Sequence, residues 1–489
     1  MRTFPEKGNA LSVGPLQCAI GFWKPLMDSH ELQGLACYKS PEEPLSRGIN
    51  VFQPDSAPKP HRLLYDGRQC SLHAAVHPVS EVPDGAEVIA EVTDWSGQHC
   101  SYVLWYPGSQ SIVVPFDSQA AVEAFWYEMY VSPKRRTSLP GPILSLYYRT
   151  LKPLLPRGVK KWARRLLAHR VHTEDQFLEW PSDDSLDSLQ RLLLHLILLA
   201  SRRDTLQFVW FWPEQHSWAA LLTHDVETAA GLRNASRIAE MESERGLRSV
   251  FNMVPLDYEV TGSQLHILQD AGFEIGVHGY THDGMIFSSW KTFLRRVVTV
   301  NECARQWGAS GFRSPATFRN QDWFHMLGFE YDSSVADTDP FEPQPGGCGS
   351  LFPFFVDGLV ELPITLPQDH TLFALLRQQD ASTWLVKLER IRRSNGMACV
   401  LTHPDPASGY IGDPENERRY RELLDVLADS DAWIPLPRDL ARWWRARAAV
   451  ASNDVEGLPG GSTGTAQLDG SGGLEIVPPF TVRTAVSGD

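Results

Sequence analysis

In the second half of the 489-residue chain, carboxylates and imidazoles stand at the ends of apolar runs, where they could act together. Asp225 and Glu227 follow the run WAALLT, which begins at Trp218. Residues i and i+2 of an extended chain point the same way, so both carboxylates can address one point. His278 and His282, in VHGYTH, follow another apolar run and are spaced i, i+4. Neutral imidazoles at that spacing can meet one ion, and zinc suits them. Arg313 lies in GFRSPA and His403 in VLTHPDP, again behind apolar runs. A metal held by three protein ligands keeps a position open and lowers the pKa of bound water towards ~7. Beside it, a free carboxylate can take a proton and a histidine can return one to a leaving nitrogen. A set of this kind hydrolyses amides.

Each residue also has a plainer reading. Asp225 could cap the helix that follows, and Glu227 could be a first-turn carboxylate favoured by the helix dipole. His224 reads as packed support rather than a third imidazole ligand. Arg313 could form a structural ion pair. Trp290, Trp323 and Trp384 read as core rather than as sugar platforms. The recurrence of ligand-type residues at several strand exits favours chemistry over these alternatives, because parallel α/β folds open their ligand crevices at strand C-termini.

Such positioning needs alternating strands and helices, and the pattern supplies them. Strand-like runs begin at Trp218, Ser249, Phe273, Gly311, Phe329, Leu359 and Met397. Helical patterns lie between most of them, at residues 231–245, 263–271, 290–307 and 382–394. The fold class is therefore α/β, with a distorted (β/α) barrel of about seven units over residues 208–450. A smaller mixed α+β region precedes it. In that region, residues 1–130, AEVIAEVT, CSYVLWY and SIVVPF form a small antiparallel unit, and residues up to about 60 read as loops with some edge structure. A basic, helical connecting segment spans 131–207 and ends in a helix from Ser185. After Ala451 the chain turns rich in Gly, Ser and Thr, and residues 451–489 read as a disordered tail.

Composition bounds the partners. A net charge of −14 excludes a general nucleic-acid binder. Seven scattered cysteines without a C-x-x-C pair favour reduced thiols. The first residues, MRTFPEKGNALSVGPL, lack the apolar core of a secretory signal, which gives a cytoplasmic expectation. The basic stretch 133–170 reads as a solvated helix face plus a linker. Its sharper alternative is a patch that associates peripherally with an anionic membrane.

THDVE, HGYTH, GFRSPA and VLTHPDP, in this order, resemble the motifs of the polysaccharide deacetylases of carbohydrate esterase family 4, the NodB-homology domain, over about residues 208–449. The resemblance implies a distorted (β/α) barrel and metal-dependent removal of an N-acetyl group from a sugar. It implies Asp225 as general base, with Glu227, His278 and His282 as ligands of a divalent metal, Zn2+ foremost. Arg313 then orients the base and His403 is the general acid. Leu401 walls the acyl pocket, a backbone N–H near Tyr280 faces the oxyanion, and Pro315 borders the substrate. Asp332, in YDSS, is counted with the substrate-binding residues and corresponds to the aspartate that pairs with the acid histidine; Asp337 and Asp339 compete for that role. The loop PQPGGCG borders the cleft, whereas Asp369 and His370 read as a solvated loop. The common pattern has two adjacent aspartates where this chain has Asp225, Val226 and Glu227. A variant that spaces its carboxylates by one residue accommodates the difference.

The expectation is thus a hydrolase of a non-peptide carbon–nitrogen bond with a carbohydrate substrate. Another amide hydrolase on the same fold and a catalytically idle glycan-binding barrel are the alternatives.

Overall fold

The computed structural model describes residues 14–54, 56–131, 178–407, 409–450, 455–470 and 472–479. The basic stretch 133–170, and with it the membrane reading, lies outside the described residues. The chain divides into two units.

The first unit combines three stretches: the chain up to 125, residues 184–210, and the chain from 450 onward. Helices α1 (Gln17–Trp23) and α2 (Ser29–Gly34) precede strands β1 (Ala36–Lys39), β2 (Gly48–Phe52), β3 (Lys59–Tyr65), β4 (Arg68–Ala74), β5 (Glu87–Thr93), β6 (His99–Tyr106) and β7 (Ser111–Val114). These strands form one sheet in the order β1-β2-β7-β6-β5-β3-β4. The three runs expected as an antiparallel unit are β5, β6 and β7, and β3 and β4 extend that antiparallel part. The region expected to be loops supplies β1 and β2; β1 pairs with β2 and β2 with β7, both in parallel. Helix α3 (Ser118–Trp126) follows, then α4 (Ser185–Ser201). The Leu-rich face of α4 is buried, and its His195 meets the Tyr65 hydroxyl at 3.1 Å.

The C-terminal stretch corrects the expectation of a disordered tail. Strand β8 (Thr205–Val209) pairs antiparallel with a strand at Thr463–Leu468, which in turn pairs with one at Leu474–Val477. Small residues misled the composition argument, because the bulk comes from the partner strand. A Cβ on Gly464 would come within 2.6 Å of the Trp210 ring and 2.7 Å of the Phe208 ring. Gly464→Val should therefore destabilise the protein by about 1–3 kcal/mol through overpacking, read as a lower urea midpoint. An unchanged midpoint would contradict this packing.

The second unit, residues 126–183 and 211–449, holds the parallel sheet. Its strands are β9 (Ala219–Val226), β10 (Val250–Met253), β11 (Glu274–His278), β12 (Gly311–Arg313), β13 (Tyr331–Asp332), β14 (Phe354–Val356), β15 (Leu359–Glu361) and β16 (Met397–Thr402). The order is β14-β15-β13-β12-β11-β10-β9-β16. Only β14 runs antiparallel to its neighbour. Beyond β15 the chain continues to Leu366, whose bridge to Val400, with N–H bonds from Thr365 and Leu366 to the Cys399 carbonyl, links that edge to β16. The sheet thus curls in the manner of a barrel.

All seven runs read as strands lie in the parallel set. The expectation of about seven strand–helix units is corrected, because among the described residues α-helices do not follow every strand. Helices α5 (Ala229–Ser243), α6 (Gly262–Asp270) and α7 (Trp290–Trp307) follow β9, β10 and β11. Short 3-10 turns follow β12, and β13 leads through a long loop to β14. Helix α8 (Ser382–Arg393) precedes β16, and α9 (Pro414–Ala428) and α10 (Pro437–Ala449) follow it. The N-termini match the sequence chemistry: Thr228 caps α5, Thr261 and Gln264 form a capping box on α6, and Ser289 caps α7. No helix among the described residues is long and apolar enough to cross a membrane.

Candidate functional site

Strand β9 lies between β10 and β16, and all eight of its residues are buried. Its alternation sorts the residues of THDV. Thr223 and Asp225 share one face with Arg313, since Arg313 Nη2 donates to Thr223 Oγ1 at 3.1 Å and Nη1 lies 3.7 Å from Asp225 Oδ1. His224 takes the other face, held by Thr402 Oγ1 at 2.8 Å and Glu242 Oε1 at 2.7 Å. It is packed support, as its plainer reading has it. Val226 is fully buried on the face of His224. The intervening valine therefore lets two carboxylates flank an apolar anchor. Thr228, not Asp225, caps α5, and Glu227 lies before that cap rather than in the first turn.

Asp225 is held from three sides. Asn252, its register partner on β10, donates to Oδ1 at 2.9 Å. His278 Nε2 stands 3.7 Å from Oδ2. Burial alone would raise the Asp225 pKa, but His278, Arg313, His403 and the Asn252 bond together bring it below the usual carboxylate value. Asp225 is a carboxylate at neutral pH. Asn252 escaped the sequence reading, although a lone amide in the apolar run SVFNMV was a usable signal.

His278 ends β11, and its Nδ1 lies 3.1 Å from the Arg313 carbonyl. A carbonyl only accepts, so Nδ1 carries the proton and Nε2 presents a lone pair. Burial lowers the His278 pKa to about 4, so this imidazole is neutral. After it the chain turns through Gly279 at φ 67°, where a Cβ would meet Pro315 Cδ at 2.4 Å. That turn, with the His282 N–H donating to Asp257 at 2.7 Å, brings the second imidazole round. His282 Nε2 lies 3.0 Å from Glu227 Oε1. Burial opposes the charged form of Glu227, yet His282, then His403 and His278, hold its pKa well below the carboxylate range.

The main correction concerns the partner of His403. His403 Nδ1 lies 2.7 Å from Asp369 Oδ1, while Asp369 Oδ2 accepts from the N–H groups of His403 and Ile411, each at 2.9 Å. Asp369 is fully buried, so it is not part of a solvated loop. Asp332, Asp337 and Asp339 do not fill this role. Asp337 pairs with buried Lys387 at 2.7 Å, and Asp339 bonds the N–H of Phe341 at 2.8 Å. Burial disfavours charge on His403, but Asp369, then Glu227 and Asp225, raise its pKa to about 10. It is thus protonated at neutral pH. Tyr410 stacks on the His403 ring at 4.3 Å and donates to Glu227 Oε2 at 3.2 Å. Asp405 accepts from the Glu227 N–H at 3.0 Å and from the Thr228 hydroxyl. Neither Tyr410 nor Asp405 was singled out in the sequence.

The remaining residues are placed as follows. Leu401, the register partner of Thr223, packs with Ala336 and Ile364 in an apolar cluster. Pro315 is buried against the Gly279 turn. Tyr280 is half-buried, with the Arg296 guanidinium 4.9 Å from its ring centre. Asp332 is fully buried and bonded to Ser334, so it is not a substrate-facing residue. Trp384 is core, whereas Trp290 and Trp323 line a cavity of about 270 Å³ together with Phe287 and Phe318. The PQPGGCG loop is anchored by the Gly347 N–H and carbonyl, bonded to Glu128 at 2.8 Å and Tyr130 at 2.6 Å.

The donor set can be tested for a metal. Among the described residues no group of three His, Cys, Asp or Glu side chains is drawn together as around an ion. The chemistry nevertheless suits one. Glu227 is ionised and His278 neutral. The His278 lone pair faces the Asp225 carboxylate at 3.7 Å with no proton to share. His282 Nε2 and Glu227 Oε1 meet at hydrogen-bond distance, 3.0 Å, so an imidazole and a carboxylate already share one locus.

Comparison with protein families and with curated proteins gives no match. Among solved structures, 40 chains match. A protein described as a polysaccharide deacetylase from Mycobacterium smegmatis is 20% identical with a TM-score of 0.42, over 50% of this chain and 95% of that one. Puue allantoinase is 15% identical with a TM-score of 0.39, over 48% and 92%. Peptidoglycan deacetylase PdaC from Bacillus subtilis is 12% identical with a TM-score of 0.31, over 47% and 94%.

Proposed function

We propose that this chain is a metal-dependent hydrolase that removes an N-acetyl group from an N-acetylated sugar or polysaccharide precursor. The observation behind the reading is the division of labour at one end of the parallel strands. An ionised carboxylate, Asp225, is fixed by Asn252 and Arg313, and a protonated imidazole, His403, is fixed by Asp369.

Glu227, His278 and His282 would hold the metal, Zn2+ foremost. When bound there, a divalent cation supplies Lewis acidity to water and to the amide carbonyl. Asp225 takes the proton of the attacking water, and Arg313 and Asn252 keep its carboxylate aimed. The backbone N–H near Tyr280 faces the developing oxyanion. His403 delivers its proton to the departing amine, and Asp369 keeps the ring turned so that Nε2 does so. A cation on Glu227 would also repel the His403 proton and bring its pKa down towards the working range. Leu401, with Ala336 and Ile364, offers an apolar wall to the acetyl methyl. Pro315 packs the turn that carries both histidines.

Asp369→Asn is expected to lower kcat by roughly 10²-fold with little change in KM, measured on a variant whose circular dichroism matches the parent. A loss confined to KM would remove Asp369 from this role. The function itself is tested by acetate release from N-acetylated saccharides, with and without chelation followed by zinc. Ring opening of a cyclic amide without acetate would replace this reading with another carbon–nitrogen hydrolase. Saccharide binding without turnover or metal would indicate an idle glycan-binding barrel. A cytoplasmic precursor, met near an anionic membrane through residues 133–170, is the corresponding proposal for where the substrate lies.

A further inference from the structure

The proposed reaction leaves two buried acids without a task. Asp332 and Glu361 are register partners on β13 and β15, and both are fully buried. One oxygen of each is satisfied. Asp332 Oδ2 accepts from Ser334 Oγ at 2.7 Å, and Glu361 Oε1 accepts the N–H groups of Ser334 at 3.2 Å and Val335 at 3.0 Å. The other two oxygens, Asp332 Oδ1 and Glu361 Oε2, receive no bond from any donor. Because register partners on neighbouring strands carry them, the two carboxyl groups adjoin in the interior, each with one oxygen left unbonded. A carboxylate oxygen only accepts, so a bond between two carboxyl groups requires a proton on one of them. Two adjacent like charges in a low-dielectric interior are strongly disfavoured, which keeps that proton bound.

The same two strands seat Arg313. Its Nη2 donates to Ser333 Oγ at 2.9 Å, and Ser333 Oγ donates to the Leu362 carbonyl at 2.7 Å. Ser333 follows Asp332 in the chain and Leu362 follows Glu361. Arg313, from β12, interacts electrostatically with both acids and reaches Asp225 at 3.7 Å. The other titratable groups near the pair are the thiols of Cys399 on β16 and Cys348 before β14, both kept neutral by burial.

We propose that Asp332 and Glu361 share one proton and act as positioning residues, their single negative charge balancing Arg313 and holding its guanidinium towards Asp225. The positioning role rests on the proposed part of Asp225 as base; the shared proton does not. Burial raises the pKa of both acids, and Asp332 raises that of Glu361 further, in keeping with a retained proton.

Counting charge gives the test. Asp332→Asn and Glu361→Gln each replace the shared proton with an amide N–H and keep one negative charge. The double variant keeps none. Each single variant is expected to retain kcat and melting temperature close to the parent. The double variant should lose about tenfold or more in kcat, with KM little changed, and melt lower. In the infrared at pH 7, without substrate, the parent should show a protonated-carboxyl band that both single variants lack. A parent spectrum identical to those of the single variants overturns the shared proton, even if the double variant fails to fold. Single variants as impaired as the double overturn the charge balance. The infrared result is independent of turnover, so a band that behaves as expected in a chain that releases no acetate sinks the deacetylase reading and leaves the shared proton standing.

Discussion

Asp225→Asn should reduce turnover by roughly 10²–10⁴-fold, the range that a positioned base contributes, while the bound metal stays near the parent level. The substitution preserves shape. The amide oxygen can still accept the Asn252 bond made at 2.9 Å, and the His278 Nε2 lone pair stays available as a ligand. Fold and ligands should therefore survive, and only the capacity to take a proton is lost. Acetate release and metal content, measured on the same preparation, give the two readings. Turnover within tenfold of the parent would remove Asp225 from the role of base.

Glu227→Ala should behave differently, losing the metal and the activity together. Metal affinity should fall by more than the roughly 10–100-fold typical of groups that only support a ligand. Glu227 is the point on which the imidazoles converge, at 3.0 Å from His282 and 3.7 Å from His403. Without it, two imidazoles of His278 and His282 cannot complete a three-ligand site. The check is elemental analysis after dialysis against equal zinc, with His278→Ala as a second route to the same loss. Full metal content in Glu227→Ala would show that the carboxylate spaced by Val226 is not a ligand.

The barrel was legible in the sequence because its strands are buried on both faces. Runs such as WAALLT and MACVLT have no solvent side to blur the pattern. The helices carry strong caps, and residues 290–307 begin and end as the pattern implies. The candidate site was legible where residues stand at strand ends: His278 and Arg313 are register partners, and the Asp225 side chain lies 3.7 Å from each of theirs. Asp369 was not, because its contact with His403 comes from a loop that folds back from beyond β15, and burial is not written in QDH. Asp332 was misassigned for the complementary reason. A strand-end position suggested the cleft, but its side chain turns to Glu361, a partner defined only by strand order. The C-terminal strands were missed because composition was judged segment by segment, whereas Gly464 packs against the rings of Phe208 and Trp210.

That last pairing also sets a timetable for synthesis. Strand β8 can begin to meet its partner only when Thr463, which pairs with Val209, has been made, and the pairing is complete at Gln467 with Thr205. At about 5–20 residues per second, the intervening chain takes on the order of tens of seconds to emerge. For that interval TLQFV is an open, aggregation-prone edge. The residues just before it are Arg202, Arg203 and Asp204, charges of the kind that discourage edge-to-edge association while a strand waits. Neutralising both arginines should therefore lower soluble yield during expression more than it lowers the stability of the finished protein.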